Sequence, residues 1–241
     1  MAILNRLVRT INLPANSLKR YAVYAVGEVV LIFAGITLSL WFSNWNEDRK
    51  DRTIQVNILK ELRGGLIHDA RDVRYNISVR ENARAACIQM LSLMERNTPY
   101  HDSLDVYFAR CFQLTGTMAK TSPYENLKSR GLYTITNDSL RSKIIDLHDV
   151  LFEHIHQSEK NHHDLFFGFL VHFNAKRFRS SNPWEKMKPV NYSKLIHDQE
   201  YKYYLDLLIF YNDYILQEST SILTDIEVLT QSIDMELQRL E

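Results

Sequence analysis

The sequence predicts an all-α protein, with one N-terminal transmembrane helix continuing into an elongated helical bundle. Three observations carry that prediction. Ala22 to Phe42 holds a single charge, Glu28, among 21 residues; at about 1.5 Å per residue this makes about 31 Å of helix, the thickness of a bilayer's hydrocarbon core. Behind it, Ile54, Ile58, Leu62, Leu66, Val73 and Ile77 recur at helical spacing, as the buried stripe of a helix must. Finally, 241 residues contain only seven Gly and five Pro, too few breakers for a chain rich in short strands and turns.

In chain order, residues 1–20 form a short basic leader, with Arg6, Arg9, Lys19 and Arg20 and a weakly amphipathic pattern of Ile3, Leu4, Leu7, Val8 and Ile11. Pro14 breaks it from the anchor. Residues 21–45 form the span. Tyr21 stands at one end and Trp41 and Trp45 at the other, as rings do at the headgroup level. Bulky LWFSNW follows the apolar run where a signal peptide would have a small-residue cleavage site, so the anchor reads as uncleaved. The leader's bases are expected to hold the N-terminus in the cytoplasm and put residues 46–241 on the far side of the membrane, which in a bacterium is the inner membrane and the periplasm.

Glu28 is the expensive residue. It lies about 9 Å into the span, where an ionisable group costs a few kcal/mol unless it is paired or faces protein. Tyr24, Glu28, Ile32, Gly35 and Ser39 share one helical face, and Gly35 and Ser39 form a small-x-x-x-small pair that lets a second helix approach closely. Two readings stand: the face packs on another membrane helix, or Glu28 snorkels to the interface.

The stretch YAVGEVVLIFAGITLSLWFSNWNEDRK resembles the anchor signature of a family of uncharacterised single-pass bacterial membrane proteins, a domain of unknown function frequent in Bacteroidota. SPYENLKSRGLYTITNDSLRSKIIDLHD is similar to that family's Tyr-x-x-Leu-Lys-x-x-Gly turn and following helix. The resemblance covers about a quarter of the chain. It implies an anchored helical domain and transfers no catalytic residue.

Beyond the span, no Pro intervenes before Pro99, so one helix is predicted from the membrane to about Asn97, with Gly64 and Gly65 as its weak point. A short helix from Leu104 to Leu114 follows an Asp102/Ser103 cap. Ser122-Pro-Tyr-Glu125 has the form of a capping box, and Asn182-Pro-Trp-Glu185 repeats it 60 residues later. An internal duplication, 122–157 against 182–217, and convergence of two helix starts are the alternatives. A long helix runs from Asn137 through LFFGFLVHF to Phe178. The last, Asp198 to Leu240, begins Tyr-rich and ends with Ile222, Ile226, Leu229, Ile233, Leu237 and Leu240 at heptad-like spacing. Those heptads pair with the first helix or with a second subunit.

Lys and Arg total 29, as do Asp and Glu, so the chain lacks the basic surplus of a nucleic-acid binder. No Gly-rich phosphate loop, nucleophile elbow or Ser-His-Asp arrangement is readable. Cys87 and Cys111 read either as a disulfide or as two buried free thiols. His148, His154, His156, His162, His163 and His172 crowd one stretch, where Glu153, His156, Glu159 and His163 have a spacing known from metal sites in helical bundles. No matching set lies on a second helix, and a solvated polar face is the stronger reading. Expected partners are the lipid bilayer and another membrane protein or a second copy of the chain. No cofactor and no enzymatic activity are expected; the reading is an interaction or accessory subunit, with a sensory ligand-binding module as the alternative and a metalloprotein as the least favoured.

Overall fold

Helix-forming residues without a proline make α1, Ala15–Glu95, one uninterrupted helix. The computed structural model describes residues 15–180 and 182–240, with side chains from Tyr24 onward. Most of the basic leader thus lies outside the described residues, as does the Tyr21 side chain. The chain divides into two units between Thr53 and Ile54. In the first, one helix is long and apolar enough to cross a membrane. Each of its residues from Tyr24 to Lys50 is exposed.

The second unit holds the core. Helix α1 ends as its sequence allows: Asn97 takes φ +50, and the Thr98 amide bonds back to the Leu93 carbonyl at 3.1 Å, satisfying an end carbonyl as a glycine usually would. Next come α2, Leu104–Cys111, and α3, Ser122–Arg130. Neither has the predicted cap: Ser103 makes no side-chain cap bond, and Ser122 lies inside α3, one residue after Thr121 at the cap position. Gly131 stops α3 at φ +99, a conformation that strains any side chain.

The long middle helix is present but twice widened. It consists of α4 (Asp138–Ile145), a π turn (Asp146–Leu151), α5 (Phe152–Leu165), a second π turn (Phe166–Leu170) and α6 (Val171–Arg177). Asn137 caps it by accepting from the Leu140 amide at 3.1 Å. A minimal hairpin follows, β1 (Phe178–Arg179) antiparallel to β2 (Lys188–Pro189). Asn182-Pro-Trp-Glu185 is the turn of that hairpin, with the Glu185 and Lys186 amides both bonding the Asn182 carbonyl. The predicted second capped helix is therefore absent here, and the equivalence of 122–157 with 182–217 does not extend to their short elements. After α7, Tyr192–Leu195, helix α8 runs Gln199–Leu240.

Helices α1 and α8 are antiparallel. Ion pairs join Arg63 to Asp234, Arg74 to Glu227 at 2.6 Å, and Arg84 to Asp213, so α8 descends as α1 ascends. All three are largely exposed and mark register more than stability. The predicted heptads Ile222, Ile226, Leu229, Ile233 and Leu237 are buried and share a cluster with Ile58, Leu59, Leu62, Leu66 and Val73 of α1. A second cluster gathers Phe108, Phe112, Phe166, Phe173, Phe178 and Tyr201 around α1 residues Ala86 to Met94.

Candidate functional site

On the first unit, Tyr24, Glu28, Ile32, Gly35 and Ser39 are exposed. A Cβ built on Gly35 would meet nothing within 4 Å, so its missing side chain is not needed for packing among the described residues. Trp41 and Trp45 are exposed as well. Trp45 lies 5.8 Å from the Phe42 ring, and the Arg49 guanidinium stands 6.0 Å from its centroid, a pairing of ring and cation suited to a membrane interface.

In the bundle, the histidine stretch is in part the solvated polar face that the sequence suggests, with His154, His163 and His172 exposed, but His162 is buried and His148 and His156 are half-buried. Between the two hydrophobic clusters lies a polar layer. Arg80 is 2% exposed and donates to the Glu159 carboxylate at 3.2 Å and to the Thr115 carbonyl at 2.7 Å. His162, also buried, lies 3.4 Å from the same guanidinium and stacks on Tyr211 at 5.4 Å. Burial, with Arg80 alongside, pushes the His162 pKa down to about 4. His148 stacks on Tyr124 at 4.4 Å, and burial lowers it likewise to about 4.

The partners of these groups explain their placement. Residues 113–121 are irregular and cross the bundle surface against α1 and α5, so their backbone groups need partners outside any ladder. Four α1 side chains at 3-4-4 spacing supply them. Asp69 accepts from the Lys120 amide at 2.8 Å, Asp72 from the Met118 amide at 2.8 Å, Asn76 donates to the Gly116 carbonyl at 3.0 Å, and Arg80 reaches Thr115. From the other side, Glu159 accepts from the Thr117 amide at 2.8 Å, and a His156 ring nitrogen lies 3.0 Å from the Thr117 carbonyl oxygen. The layer clamps a strap of backbone in place.

Of the four metal candidates, His156, Glu159 and His163 border one recess but do not converge on a common point. Glu159 and His156 serve the strap, while Glu153 and His163 are exposed. Among the described residues, no group of three or more His, Cys, Asp or Glu could hold a metal. Cys87 and Cys111 are both buried free thiols, not a disulfide, and the Cys87 thiol donates to the Cys111 carbonyl at 3.7 Å. Burial raises the Cys111 pKa well above its ordinary value, which withholds the thiolate that disulfide exchange requires.

One recess has the character of a ligand site. A cavity of about 330 Å³ opens beside the aromatic cluster. Phe112, Phe166, Phe178 and Met187 form buried walls, and half-exposed Trp184 stands at its mouth. Phe166, Phe167 and Val171 come from the LFFGFLVHF run, and the other walls from positions scattered between 112 and 187. The Tyr-x-x-Leu-Lys-x-x-Gly residues have a structural task instead. Tyr124 and Leu127 are buried, the Tyr124 hydroxyl donates to Asp149 at 2.7 Å, and Lys128 covers the Tyr124 ring.

No family model, curated protein or solved structure matches the chain.

Proposed function

We propose that this protein is a non-enzymatic, membrane-anchored interaction or accessory subunit of a bacterial inner membrane. Its N-terminus is cytoplasmic, its bundle is periplasmic, and its span binds another membrane helix through Tyr24, Glu28, Ile32, Gly35 and Ser39. One observation carries the reading: Glu28 lies in an apolar helix on which every residue from Tyr24 to Lys50 is exposed. Lipid covers the apolar residues without cost, but a carboxyl among acyl chains is stabilised only by a polar partner. The space beside Gly35 supports the same conclusion, because close approach of a second helix is what a small-residue face permits. The resemblance of the anchor to the single-pass family supports the architecture.

Extraction of the native protein in a mild detergent, with size analysis and mass spectrometry of the extract, tests this. A stoichiometric complex with another membrane protein, or a homo-oligomer, is expected; a monomer in several mild detergents and in nanodiscs would contradict the reading.

A further inference from the structure

We propose that the recess beside the second π turn binds a small, neutral, aromatic molecule bearing one polar substituent. The size sets the class first. On the scale at which an apolar cavity of about 150 Å³ accepts benzene, 330 Å³ accepts about a dozen non-hydrogen atoms. The lining sets the charge: among the described residues no Asp, Glu, Lys, Arg or His contributes to the wall, so a carboxylate or ammonium would lose its hydration without gaining a counter-charge. The rings set the shape. Phe166 and Trp184 lie nearly parallel, 19° apart with centroids 6.2 Å apart, and Phe112 and Phe178 stand edge-on to one another at the back. Flat faces and edges in one recess match the offset and T-shaped geometries that aromatic guests prefer.

Polarity completes the description. Asn174 is the wall's amide, and its side-chain oxygen is buried with no hydrogen-bond partner among the described residues. One unpaired amide in an apolar wall is the feature by which such pockets fix a ligand's orientation. The back of the recess is rigid, because Phe112, Phe166 and Phe178 belong to the aromatic cluster. It is also bordered by the π turn Phe166–Leu170, a widened helical turn of the kind that recurs at functional sites.

The test uses the full chain in phosphatidylcholine nanodiscs, titrated with 1-naphthol by calorimetry against protein-free nanodiscs. Saturable uptake of one naphthol per chain above the lipid baseline is expected. Ala175 lies on the rim and is solvent-exposed, so Ala175→Trp fills the recess without disturbing the core and should weaken binding at least tenfold. Trp184→Ala removes a wall and should weaken it by a similar factor; circular dichroism confirms that each variant keeps its helices. Uptake no greater than the lipid baseline, or unchanged affinity in both variants, would overturn the site. Equal affinity for 1-decanol would overturn the aromatic class, and equal affinity for 1-naphthoate would overturn the neutral one.

Discussion

The cluster around Ile58, Ile144 and Ile226 and the cluster around Phe108, Phe173 and Tyr201 share the two long helices α1 and α8, yet they are assembled differently. In the first, aliphatic side chains at heptad spacing on α8 meet those of α1, and close packing follows from the repeat, with Tyr124 of α3, Ile135 of a loop and Leu147 of the first π turn filling in around it. In the second, α1 supplies small or flexible residues, Ala86, Cys87, Met90 and Met94, against rings from a short helix, a π turn and a hairpin. Rings on irregular supports fill space less completely, and that is the end where the recess opens. A repeat therefore favours stability, whereas departure from it creates a shaped surface. The polar layer of Asn76, Arg80, Glu159 and His162 separates the two.

Removing half of that layer should destabilise the bundle most. Arg80→Met leaves Glu159 buried without its counter-charge and should cost about 3–5 kcal/mol in chemical denaturation. Arg80→Met combined with Glu159→Leu should recover part of the loss; an additive double variant would mean that the two side chains do not act as a pair.

Next in size is a paired truncation across the two clusters. Ile226→Ala, at a fully buried heptad position, should cost about 4 kcal/mol, and Met187→Ala, beside the recess, about 2. Equal costs, read from the same denaturation curves, would mean that the clusters are equally packed.

Acidification sharpens the role of the dividing layer. His148 and His162 have pKa values near 4 when folded, against about 6.5 in an unfolded chain. Their contribution is fully present above about pH 6.5. It is lost as pH falls toward 4, because the unfolded chain then binds protons that the folded one refuses, by up to about 1.4 kcal/mol per pH unit for each ring. Thermal melting between pH 7 and pH 5 should show that decline, and His162→Asn should flatten it.

The smallest expected effect concerns two neighbouring glycines of α1. Gly64 has open space around it, and Gly64→Ala should add about 0.5–1 kcal/mol from helix propensity alone. A Cβ on Gly65 would come within 3.3 Å of the Pro123 ring at the start of α3, so Gly65→Ala should gain less or lose. Identical shifts in melting temperature for the two would mean that α3 does not press on α1 there.

This contrast also explains what the sequence revealed. Ile222 to Leu237 and Ile54 to Val73 were legible because periodicity is a property of a single segment, and so was the start of the middle helix near Asn137, although its side-chain cap was not read. The ladder Asp69, Asp72, Asn76, Arg80 was hidden, since polar residues on a helix read as solvent-facing until the strap they clamp is known. Asn182 misled for a related reason: an Asx start serves a hairpin turn as well as a helix. Nothing local announces a π turn, and the walls of the recess meet only in the folded chain. The residues that spacing puts on the Glu28 face, Tyr24, Ile32, Gly35 and Ser39, are exposed along with it.

Substitution of Glu28 shows whether that face is the contact through which the span assembles. Glu28→Gln keeps the shape and the hydrogen-bonding capacity, while Glu28→Leu removes both the charge and the polar group. Size analysis of the two variants beside the native protein in nanodiscs should show the assembly retained by Gln and lost by Leu. If the Leu variant assembles as the native protein does, Glu28 is not the contact, and the span only anchors the chain.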